Sequence, residues 1–534
     1  MHLVIALDLA SSIRIPGRPM NTTSLILITL ALPYTHQVFG QHDYKASRKH
    51  IRAGRYDQAL KVLNDRIAKY PNDSEWHYQL AITRGLKGEK EEALKALLKA
   101  IELGIQPSRV AADSHDLLKP VADLPQVIDL LETQKNVPIQ GPMLGALKPD
   151  GVSIWVRTFG ASEVMFSVAD EDGKPLQTTQ PVKTAEGDDF TTVIPIGKLQ
   201  SDTAYRYSVH VNGIPEKPSF EHTFKTSKPG KSRFTLAFGG GAGYVTKHEH
   251  MWKTIASFNP LALLLLGDNM YSDDPKSLQM QRFCYYRRQS PSHFRRLVSS
   301  TAVYGIWDDH DFGTNDCSGG PEIDEPEWKR PVWQVFKQNW ANPGYGGGTA
   351  QPGCWYDFHI GDVHFIMLDG RYYRHRPGQT MLGPVQKKWL KSTVKASKAT
   401  FKVLCSPVPW DYRTKGKSKD TWNGFQEERT ELFDFLAENE IGGVLLMSAD
   451  RHRSDAWEIE RPNGYTLYEF NSSRLTNNHV HSTMAAAIFS YNKKQSFGLV
   501  EFDTTLADPT VSYTVVNIEG DKIHNLSLKR SGLE

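Results

Sequence analysis

From residue 261 onward, four apolar stretches of the sequence each end in acidic and other polar side chains. The segments between them have the apolar spacing of helices, as in residues 384–396 and 427–439. Strands that alternate with helices predict an α/β layered fold. Because ligands gather at the carboxyl ends of strands in such folds, we expect the four polar ends to lie together. The four stretches read LALLLLGDNMY, AVYGIWDDHD, FIMLDGRYYR and GVLLMSADRH.

The second of these ends is the most crowded. Residues 306–316 read IWDDHDFGTND, with Asp308, Asp309, His310 and Asp311 in succession. Carboxylates at the end of a buried strand repel one another unless a cation or a reaction requires them. Hard and borderline cations take this mixture of carboxylate, imidazole and amide ligands. One such end could be a capped turn, whereas four together predict a metal site.

The same residue types indicate a reaction. Two cations held by carboxylates would polarise a bound oxygen, lower the pKa of a bridging water and stabilise an in-line displacement at phosphorus. A histidine at the edge of such a site can protonate the leaving group, and an arginine can hold the phosphoryl oxygens bidentately. His310 and Arg371 are the matching candidates at the predicted strand ends.

A helical pattern occupies residues 41–135. Apolar side chains recur there at helical spacing, and the pair Ala59-Leu60 is repeated as Ala93-Leu94, 34 residues further on. That offset is the period of tetratricopeptide hairpins, so we predict a short all-α tetratricopeptide-like region. Such a region either binds a protein partner in its groove or packs as a spacer, and two repeats make only a small groove.

The pattern changes to period two over residues 140–228. Val152, Ile154 and Val156 alternate with more polar neighbours, and Gly and Asp mark the turns. The stretch from Thr203 to Tyr207 resembles a tyrosine corner. We therefore predict an all-β sandwich of the immunoglobulin or fibronectin type.

The N-terminus has the features of an export signal. Residues 24–32 form an apolar core too short to span a membrane, and Val38 and Gly40 fit the small-residue cleavage pattern. Cleavage there would remove residues 1–40, or a compact signal from Met20 if translation starts at that residue. The alternative is a buried N-terminal helix. We expect a periplasmic or extracellular protein with no transmembrane span in its mature chain.

Composition excludes several classes of protein. The 534-residue chain has a net charge of +3, so it lacks the bulk basic field that is usual for nucleic-acid binding. Its four cysteines form no CxxC pair, which argues against a zinc ribbon or a thioredoxin-like site. The basic, aromatic run at residues 282–288 could line a cleft for an anionic substrate, but it is more typical of a solvated helix face.

The polar blocks resemble a known family. GDNMY, WDDHDFG, LDGRYYR, DTWNGF and SADRH stand in the order found in the PhoD-like alkaline phosphatases. These belong to the calcineurin-like metallophosphoesterases and are relatives of the purple acid phosphatases. The resemblance covers residues 142–516 and includes the β-sandwich, which looks like the family's N-terminal domain. It implies a four-layer αββα catalytic core within residues 229–534.

The resemblance also implies metal ligands. Asp268 and Tyr271 match the block in which Asp bridges two metals and Tyr ligates ferric iron. Asp309 stands where the superfamily has a metal-binding Asn, and Asp450 and His452 match its last metal-binding block. Iron and calcium are the cations that the family implies.

His310 matches the histidine that positions or protonates the substrate in that superfamily.

Two blocks depart from the family pattern. The first block reads FGGGAGY, so residues 239–241 supply no side-chain ligand, and one ligand of the first metal is missing or comes from elsewhere. In the last block, Arg451 and Arg453 stand beside the metal-binding pair.

Two functions follow from these patterns. The leading hypothesis is an exported, metal-dependent phosphoric ester hydrolase that uses a metal-activated hydroxide on phosphate esters. The alternative is an exported binding protein whose phosphatase-like domain has lost turnover. The retained His310, Asp450 and His452 favour the enzyme. The sequence leaves open whether the substrate is a monoester or a diester.

Overall fold

The computed structural model describes residues 42–534. The predicted signal, residues 1–40, lies outside the described residues, so export stays a prediction. Within the part of the chain that is described, no helix is long and apolar enough to cross a membrane. Helices come first, two small antiparallel sheets follow, and strands then alternate with helices. The mixed α/β class is confirmed.

Residues 42–132 form six helices, and the first four pack on their neighbours in chain order. They are α1 (His42–Arg52), α2 (Tyr56–Lys69), α3 (Ser74–Lys87), α4 (Lys90–Glu102), α5 (Pro107–Asp113) and α6 (Pro125–Glu132). The start of α3 is capped by Asp73, whose side chain accepts a hydrogen bond from the backbone of Glu75. It ends at Gly88, where φ of 91° suits glycine. The tetratricopeptide assignment stays a prediction.

Residues 140–225 form two antiparallel sheets. Their strands are β1 (Gln140–Lys148), β2 (Gly151–Arg157), β3 (Glu163–Asp170), β4 (Pro175–Thr178), β5 (Val182–Lys183), β6 (Thr191–Ile196), β7 (Ala204–Val211), β8 (Ile214–Pro215) and β9 (Thr223–Lys225). One sheet has the order β1-β2-β6 and the other β4-β3-β7-β8, with β5 on β3 and β9 on β7. Val164, Phe166 and Val168 of β3 point inward and are buried. The immunoglobulin-like type of this region stays a prediction.

The rest of the chain forms two larger mixed sheets. Their strands are β10 (Arg233–Gly239), β11 (Ala262–Leu266), β12 (Ala302–Ile306), β13 (Tyr356–Ile360), β14 (Val363–Met367), β15 (Phe401–Cys405), β16 (Val444–Ser448), β17 (Ser454–Arg461), β18 (Gly464–Ser472), β19 (Phe489–Tyr491), β20 (Ser496–Asp503), β21 (Thr510–Asn517) and β22 (Lys522–Lys529). The first sheet has the order β12-β11-β10-β20-β21-β22 and the second β13-β14-β15-β16-β18-β17-β19. Strands β10 to β12 are parallel, as are β14, β15, β16 and β18.

Seven helices accompany these two sheets. They are α7 (Met251–Ala256), α8 (Leu278–Gln289), α9 (Ser292–Val298), α10 (Asp309–Phe312), α11 (Lys329–Gln338), α12 (Gly383–Ala396) and α13 (Gln426–Glu438). Apolar side chains of α12 and α13, such as Leu390 and Leu436, share a core with Ile366 and Leu446 of the second sheet. These helices therefore cover one face of that sheet.

The two mixed sheets pack against each other through aromatic rings. Tyr304 of β12 stacks on Phe358 of β13 with ring centroids 3.7 Å apart, and Phe470 of β18 stacks on Tyr513 of β21 at 4.7 Å. Every residue of β11, β12, β14 and β16 is buried, as expected for parallel strands covered on both faces. This packing brings the polar ends of strands from both sheets to one place.

Candidate metal centre and active site

The loop after β11 carries Asp268 and Tyr271 into the site. Both residues have a backbone φ of 55°, which residues other than glycine rarely adopt. Strained backbone of this kind is concentrated at functional sites. Tyr271 Oη donates a 2.8 Å hydrogen bond to Asp268 Oδ2, and Asn477 Nδ2 donates one of 2.8 Å to Tyr271 Oη. The second oxygen, Asp268 Oδ1, is buried and has no hydrogen-bond partner among the described residues.

Asp311 ties the first two strand ends together. Its Oδ1 accepts hydrogen bonds from the backbone N–H groups of Asn269 at 2.8 Å and Met270 at 3.0 Å. Its Oδ2 accepts one from the backbone N–H of Asp308 at 3.1 Å. Burial raises the pKa of Asp311 to about 6 in spite of these bonds. The Asp311 carboxylate thus holds the two loops in place.

Asp309 lies beside Asp268 at the end of β12. One of its oxygens accepts a hydrogen bond from the backbone of His310 at 3.0 Å, and the other accepts one from Asp316 at 2.6 Å. Possible ligand atoms of Asp268, Asp309 and His310 lie within 4.8 Å of one another, and so do those of Asp309, Asp316 and Asp420. Asp309 is therefore shared by two neighbouring groups of possible metal ligands.

His310 is held from one side by Asp273. Its Nδ1 lies 2.5 Å from Asp273 Oδ1, and Lys45 of α1 lies 2.6 Å from Asp273 Oδ2. Because a carboxylate accepts hydrogen bonds, Nδ1 carries a proton and Nε2 is left for other contacts. Burial lowers the pKa of His310, but the nearby carboxylates, led by that of Asp309, outweigh it and raise the pKa to about 10.

Arg371 lies wholly inside the protein and links two carboxylates. Its Nε donates a 2.5 Å hydrogen bond to Asp308, and its terminal nitrogens donate bonds of 2.8 and 2.9 Å to Asp420. Nη1 also donates to the carbonyl of Cys317 at 3.1 Å. The guanidinium is thus engaged by the protein itself, and its role in holding phosphoryl oxygens stays a prediction.

Asp450 and His452 follow β16, and both have positive φ, of 65° and 47°. Asp450 Oδ2 lies 3.4 Å from Lys415 Nζ and 3.7 Å from Arg451 Nη1. Burial raises the pKa of Asp450, but Lys415 and Arg451 outweigh it and lower the pKa. His452 is buried, and its Nδ1 has no hydrogen-bond partner in the described part of the chain.

The part of the chain that contains these strand ends matches a known protein family. A family model described as PhoD-like phosphatase matches residues 236–513, more than half of the chain. The chain belongs to the PhoD-like phosphatase family. A second family model, described as a domain of unknown function (DUF7800), matches residues 138–229.

A relative and two solved structures are also similar to this chain. Alkaline phosphatase D of Bacillus subtilis (strain 168) is 23% identical over 378 residues, which are 57% of this chain and 62% of that protein. The match therefore spans less than two thirds of the relative's length. A solved structure of PhoD has a TM-score of 0.62 at 16% identity and covers 73% of this chain and 90% of its own. A purple acid phosphatase from yellow lupin (Lupinus luteus) seeds has a TM-score of 0.53 at 13% identity, with 74% and 75% covered. These two structures show the fold.

The side-chain oxygen and nitrogen atoms at this site are suited to binding a cation. Burial raises the pKa of Asp268 well above its usual value and also raises that of Asp308, and a bound cation would oppose both shifts. Asp268 Oδ1 and Asp308 Oδ2 are buried without a hydrogen-bond partner among residues 42–534. Carboxylate, phenol and imidazole donors suit hard and borderline cations. Family membership implies divalent metal ions, and the donor set agrees.

Several residues near the site were missed in the sequence. Asp273 lies in a loop and Lys415 ends a short 3₁₀ helix, and neither carried a recognisable signal, because His310 and Asp450, which they contact, are distant in sequence. His479 and His481 stand two positions apart in NNHVHS. In an extended segment that spacing places both imidazoles on one side, which is a pattern that could have indicated a metal site.

Proposed function

We propose that this chain is a metal-dependent phosphoric ester hydrolase, an alkaline phosphatase or phosphodiesterase of the PhoD-like type. The observation that carries the proposal is the shared carboxylate of Asp309, which belongs to two adjacent groups of possible ligands. Beside it, Asp268 presents a buried oxygen that has no hydrogen-bond partner among the described residues. The family match and the curated alkaline phosphatase relative support the same activity.

When bound, the metal ions supply Lewis acidity to the ester and to the attacking water. We propose that Asp268, Tyr271, Asp309, Asp450 and His452 hold them, and that iron and calcium are the ions. Asp450 differs from the others because Lys415 and Arg451 already compensate its charge.

His310 is the proposed proton donor to the leaving oxygen. Asp273 fixes the imidazole through Nδ1, so Nε2 is the atom available to deliver a proton. Arg451 is a second candidate for contact with the phosphoryl oxygens, because its Nε and Nη1 are buried without hydrogen-bond partners in the described part of the chain. Four of the five N–H groups of Arg371 already donate to Asp308, Asp420 and the Cys317 carbonyl, so a bidentate contact with a phosphoryl group would require it to give up one of these bonds.

The regions around the site complete the proposal. We propose a four-layer αββα core over residues 229–534, preceded by the β-sandwich over 140–228 and the tetratricopeptide-like region over 41–135. The helical region either binds a protein partner in its groove or packs as a spacer, and we propose the packing role. The contact of Lys45 with Asp273 supports a packing role for α1 beside the site.

Metal removal should lower both stability and activity. A cation that binds only the folded state stabilises it by about 2.7 kcal/mol at a concentration of about 100 Kd. We expect chelated protein to melt at a lower temperature and to stop hydrolysing p-nitrophenyl phosphate and bis(p-nitrophenyl) phosphate. Returning the metal should restore both properties, and elemental analysis measures occupancy at each step.

The matched control for chelation is Asp268→Asn, which removes one proposed ligand charge at almost constant volume. Its melting temperature should respond much less to the chelator than that of the wild type. Full hydrolytic activity in metal-free protein would contradict the proposal. Metal-loaded protein that hydrolyses neither ester would favour the alternative of a binding protein without turnover.

Export is tested separately. We propose that cleavage after Gly40 yields a periplasmic or secreted protein, since the apolar core at residues 24–32 and the small residues before Gln41 fit a signal peptide. Mass spectrometry of the protein from its native host should find an N-terminus at or near Gln41. A mature protein that retains Met1 or Met20 would rule out this processing.

A further inference from the structure

The glycines of the first block make room for another segment of the chain. A Cβ atom on Gly239 would lie 2.8 Å from the side chain of Leu475, and one on Gly241 would lie 2.9 Å from the backbone nitrogen of Arg474. The backbone N–H groups of Leu475 and Asn477 donate hydrogen bonds to the carbonyls of the glycine block at 3.1 and 3.2 Å. Side chains at the glycine positions would therefore displace the segment that follows β18.

This segment then reaches the candidate metal centre. Asn477 donates its hydrogen bond to Tyr271 Oη, and two histidines follow it. The ring centroids of His479 and His481 lie 4.9 and 5.5 Å from that of His452, and 4.6 Å from each other. Three imidazoles thus gather, two of them within a few residues of Asn477, which itself contacts the proposed ligand Tyr271 and the glycine block.

The orientation of two imidazoles suits metal binding. His481 Nδ1 lies 2.9 Å from the carbonyl oxygen of Arg451, which can only accept, so Nδ1 carries the proton and Nε2 presents a lone pair, which accepts a hydrogen bond from His479 Nε2 in this structure. Metal-binding histidines are commonly oriented by such a bond from the second ring nitrogen. His479 Nε2 lies 3.0 Å from His481 Nε2. Two imidazole nitrogens on one tetrahedral cation, at metal–nitrogen distances of about 2.0–2.1 Å, would lie about 3.3 Å apart.

We propose that His479 and His481, together with His452, bind a divalent transition-metal ion and replace the ligand that the glycine block does not supply. Imidazole ligands favour ions such as Zn²⁺, Co²⁺ or Fe²⁺ over Ca²⁺. The glycines and the two histidines are then parts of one arrangement, because the glycines allow the close approach that delivers the histidines. The inference rests on the metal dependence proposed above.

The test is metal binding, measured without substrate. Metal-free protein is titrated with Zn²⁺ by calorimetry and with Co²⁺ by visible absorption, which reports imidazole coordination. We expect His479→Ala/His481→Ala to lose one equivalent, or to bind it more weakly by at least about 100-fold, since loss of an outer partner alone costs about 10–100-fold. The Co²⁺ spectrum should change as well. His248→Ala is the matched control, because His248 contacts the carbonyl of Thr476 in the same segment but is outside the three-imidazole cluster.

The outcomes separate this inference from the proposed function. Wild-type protein that binds neither Zn²⁺ nor Co²⁺ would overturn the inference, and the proposed metal dependence would fall with it only if iron and calcium also failed to bind. If the wild type binds metal and the double variant binds it with unchanged stoichiometry, affinity and Co²⁺ spectrum, the inference fails while metal dependence stands. If the double alanine variant does not fold, the variants His479→Gln and His481→Gln take its place, because they nearly keep the side-chain volume. Metal affinity and the Co²⁺ spectrum are then measured on them. Loss of binding in a Gln variant that keeps the wild-type circular dichroism spectrum supports the inference.

Discussion

Replacing His310 with alanine is expected to slow hydrolysis of an ester with a poor leaving group by about 10²–10⁴-fold, the range for loss of a general acid. The loss should be smaller for p-nitrophenyl phosphate, because a good leaving group needs the proton least. Asp273 should support the same step, since its carboxylate holds Nδ1 of His310 at 2.5 Å. Asp273→Asn should therefore show the same pattern, a larger loss on the poor leaving group than on the good one, but by a smaller factor. Steady-state rates on both esters measure these effects.

The His310 result needs two controls. His250→Ala removes an exposed imidazole outside the site and should leave both rates unchanged. Asp309→Ala removes a proposed ligand, so elemental analysis should show lost metal there but normal metal content in His310→Ala. Equal losses on good and poor leaving groups would remove His310 from the acid role. Lost metal in His310→Ala would instead make it a ligand.

Replacing Arg371 with methionine is expected to destabilise the protein by about 3–5 kcal/mol, the cost of breaking a buried ion pair from one side. Asp308 and Asp420 are 1% and 2% exposed, and Asp308 would keep no cationic partner in hydrogen-bond contact among the described residues. Asp420 would keep Arg374. Thermal unfolding in the presence of a chelator measures this loss apart from any change in metal binding.

Two further variants test the physical reason for that loss. Arg376 also faces Asp420, at 3.4 Å, but its side chain is 44% exposed, so Arg376→Met should cost no more than about 1 kcal/mol. Asp308→Asn combined with Arg371→Met removes the uncompensated charge and should recover part of the lost stability. No recovery would show that packing dominates. A stable Arg371→Met with a raised KM would favour the predicted phosphoryl contact over the role in holding carboxylates.

Sequence patterns determined the class of fold and the position of the strand ends. An apolar stretch of five or more residues followed by Asp is a local signal, and parallel strands necessarily bring such ends to one edge of a sheet. For that reason the mixed α/β fold could be predicted, whereas the family followed from the resemblance of the polar blocks. The structure brings possible ligand atoms of Asp268, Asp309 and His310 within 4.8 Å of one another. The glycines of the first block were visible as a departure, but their purpose was not.

Burial was decided only by the tertiary structure. The run at residues 282–288 was predicted to be a solvated helix face, and that prediction is wrong. Arg287 and Arg288 in α8 are 3% and 1% exposed, and Arg288 donates a 2.7 Å hydrogen bond to Glu249. A basic helix can be buried when carboxylates from other segments compensate it, and nothing within the helix itself specifies them.

The same reason separates what could be predicted about the site from what could not. Lys45 meets Asp273, Arg371 meets Asp308 and Asp420, and His479 and His481 meet His452. In each case the residues in contact are far apart along the chain. Residue type and local spacing determine which side chains stand at the end of a strand. The charges and imidazoles around them depend on how remote segments pack, and that packing decides which groups are engaged and which face a ligand.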